Sequence, residues 1–311
     1  MQSMTSYQLG IGERWALVAA IAYTVVNVTL RSAAPTIDGA LGSFVRLIPV
    51  AVIAWTFVLR DGARDVRPGF AGFIGWRLIA GLVLGGSASF VLGNILYFEA
   101  LREGGLGITV GGVQSGSVLG GFWMGFLFLR ERPRTVELAG VVLVVLGLAA
   151  IGWAQTGTLN EHWWLGLLFA LAAGTTYAFA NATARAVQRR RPLVWITLAA
   201  SSLGGMIPLA AILAGRAAGG DAIPGDASSI AIVLGAGIAN AVALGGLAMA
   251  VRHAPVATVS TISSASIVLS FAASVLIFGE TGSIPMITGM LLVTGGIVVA
   301  QVRRSAPSTT D

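Results

Sequence analysis

Tyr23-Thr-Val-Val-Asn-Val-Thr-Leu-Arg31 and Tyr177-Ala-Phe-Ala-Asn-Ala-Thr-Ala-Arg185 carry Tyr, Asn, Thr and Arg at one spacing, 154 positions apart. Within each stretch the phenol and the amide are four residues apart, so on a helix Tyr23 and Asn27, like Tyr177 and Asn181, share a face one turn apart. Hydroxyl and amide groups donate and accept hydrogen bonds without carrying charge. Two such faces meeting across a polar space suit reversible binding of a small zwitterion or a neutral polar solute. The competing role is structural, because the same groups can bond between helices and hold two copies of a unit together.

Charge is scarce in the apolar stretches. Arg46 lies five residues inside one that starts at Leu41, and a charge at such a position marks a functional site by default. It can bind a substrate carboxylate; alternatively it snorkels to the nearby interface or pairs with Glu99. Apart from Glu137, in the opening turn of its helix, Glu99 is the one carboxylate placed within an apolar stretch. It is therefore the candidate for proton coupling, against the alternative of an interfacial Glu paired with Arg102 or Arg46. Without it, facilitated movement down a gradient replaces proton antiport. Uncharged polar groups in other apolar stretches, Asn94, Gln114, Asn240, Ser263 and Ser264, need partners or water inside a bilayer. The substrate-binding candidates are thus Tyr23, Asn27, Arg46, Asn94, Gln114, Tyr177, Asn181, Asn240, Ser263 and Ser264, facing a central polar cavity.

Bond-breaking chemistry lacks its parts. The chain has no Cys, and its two histidines, His162 and His253, fall at helix ends with no HExxH pair and no GxSxG elbow. No phosphate-cradling loop of the Walker type is present. No metal site and no cofactor is expected, and the gradient of a solute or of protons must supply the driving force.

The elements that position these residues follow from composition. With 56% hydrophobic and 10% charged residues in 311, the chain has too little polar surface for a soluble fold. Ten apolar segments, 15–30, 41–59, 78–99, 107–129, 136–153, 163–183, 193–214, 230–250, 256–278 and 284–302, have lengths suited to the roughly 30 Å hydrocarbon layer. The expected fold class is an all-α integral membrane protein of ten transmembrane helices. A signal peptide over the first segment is rejected, because its sequence mate around Tyr177 lies in mid-chain. The second copy begins after five crossings and must enter the bilayer upside down, the inverted-repeat plan of secondary transporters. The predicted layout is a tail at 1–14, a first repeat at 15–154, a linker at 155–162, a second repeat at 163–302 and a tail at 303–311.

Placing the N-terminus in the cytoplasm puts 15 of the 19 arginines on that side, leaving Arg31, Arg102 and Arg216 opposite and Arg46 within a span. The positive-inside rule therefore favours a plasma or inner membrane protein with both termini cytoplasmic. A basic balance of this origin does not argue for nucleic-acid binding.

The copies keep matching beyond the opening stretch: Ala100-Leu-Arg102 with Ala250-Val-Arg252, Glu131 with Glu280, and Gly140 and Gly147 with Gly289 and Gly296. Tyr97-Phe-Glu-Ala-Leu-Arg102, Phe126-Leu-Phe-Leu-Arg-Glu131 and Glu137-Leu-Ala-Gly140, with Ala248-Met-Ala-Val-Arg252 and Phe278-Gly-Glu280 in the second copy, resemble the drug/metabolite transporter superfamily, specifically its EamA-type ten-helix exporters. The resemblance covers essentially the whole chain. It implies efflux of amino acids and related metabolites, or movement of sugars, nucleotide-sugars or drugs, and an Arg in the second helix is frequent in such sequences. Relatives commonly carry a proline near the middle of the fourth and ninth helices; here Gly116-Ser117 and Ser264-Ala265 stand there, so the resemblance does not carry over a helix break.

The fifth and tenth segments are the least polar and suit lipid or a second copy of the chain, making a homodimer through them the expected assembly. Gly112, Gly116 and Gly120 form a small-residue stripe for close helix packing. Glu131 and Glu280 fall between helices and are expected to cap the helix that follows each. The functional expectation is an exporter of amino acids or similar small polar metabolites working by alternating access. The alternatives are other cargo classes, an intramembrane enzyme, and a channel or passive scaffold.

Overall fold

The computed structural model describes residues 10–60, 68–69, 73–128, 135–154, 162–188, 194–254, 256–280 and 282–302. Among them the regular structure is helical, with no strand. Helices close every backbone hydrogen bond within one segment, which apolar surroundings demand. In order they are α1 (Ile11–Ala33), α2 (Gly39–Arg60), α3 (Trp76–Gly86), a π-helical segment (Ser87–Gly93), α4 (Asn94–Phe128), α5 (Thr135–Ala154), α6 (Trp163–Gln188), α7 (Val194–Ala218), α8 (Ala227–His253), α9 (Val256–Ser263), α10 (Ala265–Phe278) and α11 (Ile284–Val302). Among the described residues, eight helical stretches are long and apolar enough to cross a bilayer, and Ile284–Ala300 is a shorter apolar one.

One of the eight, Trp76–Met124, is 49 residues long. Run straight, it would extend more than twice the hydrocarbon thickness. It is not straight. Gly105 leaves helical geometry at φ 73° and ψ −177°, a conformation open to glycine alone. Contacts with α6 give the direction of each arm. Gly85, Gly93 and Gly104 approach α6 at Thr183, at Thr176 and Tyr177, and at Gly166; past the break, Gly112, Gly116 and Gly120 approach it at Ala170, at Leu171, and at Thr175 and Ala178. The chain therefore runs back along α6, turns at Gly105 and returns. The stripe at Gly112, Gly116 and Gly120 packs closely as its spacing predicted, with α6 as its partner.

Three further pairs run antiparallel. α2 meets α7 through Asp38 with Arg216, Leu47 with Gly205, and Phe57 stacked on Trp195 at 4.2 Å. α1 meets α8 through Gly12 with Ala254, Ala19 with Gly246, and Thr36 with Ser229. α5 meets α11 through two reciprocal glycine contacts, in which a Cβ on Gly147 or Gly289 would lie 2.7 Å from the other's carbonyl oxygen, with Gly140 and Gly296 paired the same way. The small-residue faces of α5 and α11 are thus occupied by each other within one chain. Their outer faces, with Val142, Leu146, Ile284 and Leu291, are exposed.

The core lies between the helices around Leu30, Ile37, Phe98, Leu101, Ile267 and Met290, all fully buried. Large apolar side chains such as Val52, Ile207 and Leu276 point outward, the arrangement expected where lipid is the solvent. The ninth sequence segment is interrupted at Ser264, between α9 and α10. Its break forms without proline.

Candidate functional site

Arg46 is carried by the middle of α2, three residues before Pro49. Proline has no N–H to give, so the helix is locally under-bonded beside the arginine. Gly237 of α8 packs against this point, where a Cβ would lie 2.5 Å from the Arg46 carbonyl oxygen. On another flank, the π-helical turn Ser87–Gly93 widens the helix just ahead of Asn94 and resets the register of the side chains that follow. The Ser87 hydroxyl anchors it, donating to the Gly204 carbonyl of α7 at 2.7 Å.

These elements deliver one connected polar cluster. Arg46 Nη1 donates to Asn94 Oδ1 and Nη2 to Asn240 Oδ1, each at 3.5 Å. The guanidinium lies 5.9 Å from the centre of the Tyr97 ring, a cation–π contact. Tyr177 OH donates to Asn94 Oδ1 at 2.8 Å, Tyr97 OH donates to Asn27 Oδ1 at 2.8 Å, and Asn27 Nδ2 donates to Ser270 Oγ at 3.0 Å. Tyr23 is also within electrostatic reach of Arg46. Six helices, α1, α2, α4, α6, α8 and α10, thus converge on one cation. Asn94, Asn240, Tyr97 and Ser270 are buried. Arg46 Nε is buried with no hydrogen-bond partner.

Of the residues singled out from sequence, Tyr23, Asn27, Arg46, Asn94, Tyr177 and Asn240 come together here. Ser263 and Ser264 flank the break between α9 and α10; Ser264 Oγ donates to the Thr261 carbonyl at 2.7 Å, and Ser263 Oγ is buried without a partner. Gln114 is half-buried on the second arm of α4, and no described hydrogen bond ties it to Arg46. Asn181 is exposed, one turn beyond Tyr177 on the side away from Gly104.

Two members escaped the sequence reading. Tyr97 falls three residues after Asn94, a spacing that places both on one helix face, whereas Ser270 is one of several serines on its helix and nothing in its spacing sets it apart. A further signal was available: Ser43-Phe-Val-Arg46-Leu-Ile-Pro49-Val-Ala51 aligns with Ser202-Leu-Gly-Gly205-Met-Ile-Pro208-Leu-Ala210. The position equivalent to Arg46 is Gly205, so the duplicated unit contributes its cation once.

The pairing of Arg46 with Glu99 is not what the structure shows: Arg46 does not reach Glu99, whose carboxylate is bound by Arg102 Nη1. Arg102 also donates to the carbonyls of Ala34, at 2.7 Å from Nε, and of Ile37, closing the C-terminal end of α1. Glu280 corrects a second expectation. It does not cap α11, the next helix, but accepts from the Leu106 and Gly107 amides at 2.7 and 2.9 Å, where α4 restarts after its break. There the helix dipole favours an anion. Arg31 Nε completes the contact at 3.1 Å. Glu131 lies outside the described residues.

The same end carries two further acids. Partial burial alone would raise the Asp38 carboxyl, but the hydrogen bond from Arg216, the Leu41 and Ala40 amides and the Arg216 charge prevail and hold it below its ordinary value. Hydrogen bonds from Ser228 and Ser229 hold Asp226, which caps α8, down to about 2. One end of the helix assembly is thus tied by ion pairs through Glu280, Arg102 and Asp38.

The profile of the EamA-like transporter family matches twice, over residues 10–153 and 164–301. The chain belongs to the EamA-like transporter family. As an EamA-like protein of the drug/metabolite transporter type, it is a multi-pass membrane transporter, and the family is not an enzymatic one. A solved structure titled "Crystal structure of protein" is similar in fold, with 16% identity and a TM-score of 0.61 over 95% of this chain and 99% of that chain. No curated protein matches the chain.

Proposed function

We propose that this EamA-like chain is a secondary transporter of the inner or plasma membrane that exports amino acids or related small polar metabolites by alternating access. The observation that carries the proposal is the cluster around Arg46, where five helices contribute uncharged hydrogen-bonding groups around the one cation carried by α2, inside an otherwise apolar assembly. Counting the hairpin at Gly105 as two crossings, and α9 with α10 as one, gives ten spans in two five-span repeats. The repeats are inverted: α2 with α7 and α5 with α11 occupy equivalent places in the two copies, and the antiparallel contacts of both pairs support opposite orientations. With both termini cytoplasmic, the end tied by Glu280, Arg102 and Asp38 faces outward, and the site is closed on that side. Asn181, exposed beyond Tyr177, then lines the inward approach.

The test is counterflow in proteoliposomes holding the purified full-length protein. Preloaded amino acid should accelerate uptake of labelled amino acid, and the rate should saturate. Exchange of sugars or organic cations in place of amino acids would move the cargo to another class. Uptake that neither saturates nor responds to preloading would point to a channel.

A further inference from the structure

The cluster holds one cation and, among the described residues, no acid that neutralises it. The acids at the tied end of the assembly are engaged elsewhere: Glu99 with Arg102, Glu280 with Arg31 and the α4 amides, Asp38 with Arg216. A guanidinium has five N–H donors in a planar fork. Here two reach amide oxygens at the 3.5 Å limit of hydrogen bonding and the buried Nε donor reaches none. Asn94 Oδ1 is already shared with Tyr177 OH, whose hydroxyl is itself within hydrogen-bonding reach of the guanidinium, so Arg46 is held only by long or shared bonds to uncharged groups. Such a centre is costly in an apolar interior unless an anion completes it.

Resting on the transporter reading above, we infer that Arg46 is the anion subsite of the cargo and that the solute is selected by a carboxylate rather than by an ammonium group. A carboxylate meets the fork with two parallel hydrogen bonds and cancels its charge. Gly205, at the place equivalent to Arg46, supplies no second cation, which suits one negative charge better than a phosphate dianion. No described acid faces the cluster to receive an ammonium; Tyr97 offers it a ring face, Tyr177 a hydroxyl, and Asn27, Asn94 and Asn240 amide oxygens, all of them weaker partners. Replacing the amino group of a cargo amino acid by hydroxyl should therefore be tolerated. Removing its carboxylate charge should not.

The experiment is counterflow by full-length protein with matched sets built on alanine, leucine and phenylalanine: the amino acid, its α-hydroxy acid, its carboxamide and a phosphate monoester of similar size, with glucose and tetraethylammonium as further probes. In at least one set the amino acid and the hydroxy acid should exchange within about threefold of each other, and the carboxamide at least about tenfold more slowly. In Arg46→Gln the acid rate should fall to that of the amide, so that their ratio approaches one, with Arg46→Lys intermediate. A merely structural arginine would lower both rates and leave the ratio unchanged. Because the wild-type ratio needs no variant, misfolding of Arg46→Gln cannot hide the answer. Amides or tetraethylammonium exchanging as fast as acids, or phosphate monoesters exceeding carboxylates, would overturn the carboxylate assignment while leaving a carrier in place. Absence of counterflow for every probe would overturn the carrier reading and this inference with it.

Discussion

Tyr97 and Asn27 show what one hydrogen bond does in this interior. Tyr97→Phe removes the donor to Asn27 Oδ1 while keeping the ring beside Arg46. An interhelical hydrogen bond in a membrane protein contributes about 0.6 kcal/mol on average. We therefore expect a small loss of thermal stability in detergent and a larger fall in exchange rate, measured as Tm and counterflow on one preparation. Asn27→Ala should impair exchange more than Asn181→Ala, because Asn27 bridges Tyr97 to Ser270 whereas Asn181 is exposed; unchanged rates in both would place both outside the binding site. Asp38 gives a pH signature. Its folded-state pKa is depressed, so the stability it contributes is present above its ordinary value of 3.8 and is lost as pH falls through the lower folded value. Asp38→Asn should lower Tm at pH 7, and the gap to wild type should narrow only as pH falls below 3.8 and through the lower folded-state value. At this scale the sequence was partly legible: it named Arg46, Asn94 and Asn240, whose polarity stands out among apolar neighbours, but not Ser270, whose hydroxyl looks the same whether it packs or bonds.

Glycine contacts set the geometry at the scale of elements. A Cβ at Gly147 would sit 2.7 Å from the Gly289 carbonyl oxygen, so Gly147→Ala must push α5 from α11. Overpacking of this kind costs typically about 1–3 kcal/mol, whereas Leu146→Ala on the exposed outer face should change Tm little. Glu280→Gln should loosen the tied end, since it removes the charge that meets Arg31 and the α4 restart. A cysteine introduced near Gly107 should then label faster with an impermeant thiol reagent, and unchanged labelling would show that the contact does not hold this end closed. The all-helical, membrane-spanning character was readable from apolar lengths. The break at Gly105 was not, because a glycine in a glycine-rich helix carries no mark of its φ, and the acceptor of the α4 amides comes from Glu280, far away in sequence.

For the whole molecule, duplication explains both the order and the asymmetry. Antiparallel contacts of α2 with α7 and of α5 with α11 pair equivalent helices; the sequence showed the equivalence of Gly140 and Gly147 with Gly289 and Gly296, but not that these glycines meet crosswise, Gly147 against Gly289 and Gly140 against Gly296. The two copies differ at the proposed anion subsite, with Arg46 in one and Gly205 in the other. The small-residue faces of α5 and α11 are joined within one chain and leave branched apolar side chains outside, so a homodimer through these helices, as the sequence reading proposes, would use those outer faces. The central claim is that a carrier works around the Arg46 cluster. Its most direct test is counterflow by wild type and Arg46→Gln in the same proteoliposomes, with amino acid against its carboxamide. Saturable, preload-accelerated exchange of the acid by wild type, lost in Arg46→Gln, is the predicted result; exchange that is independent of preload, or the same in both proteins, would contradict it.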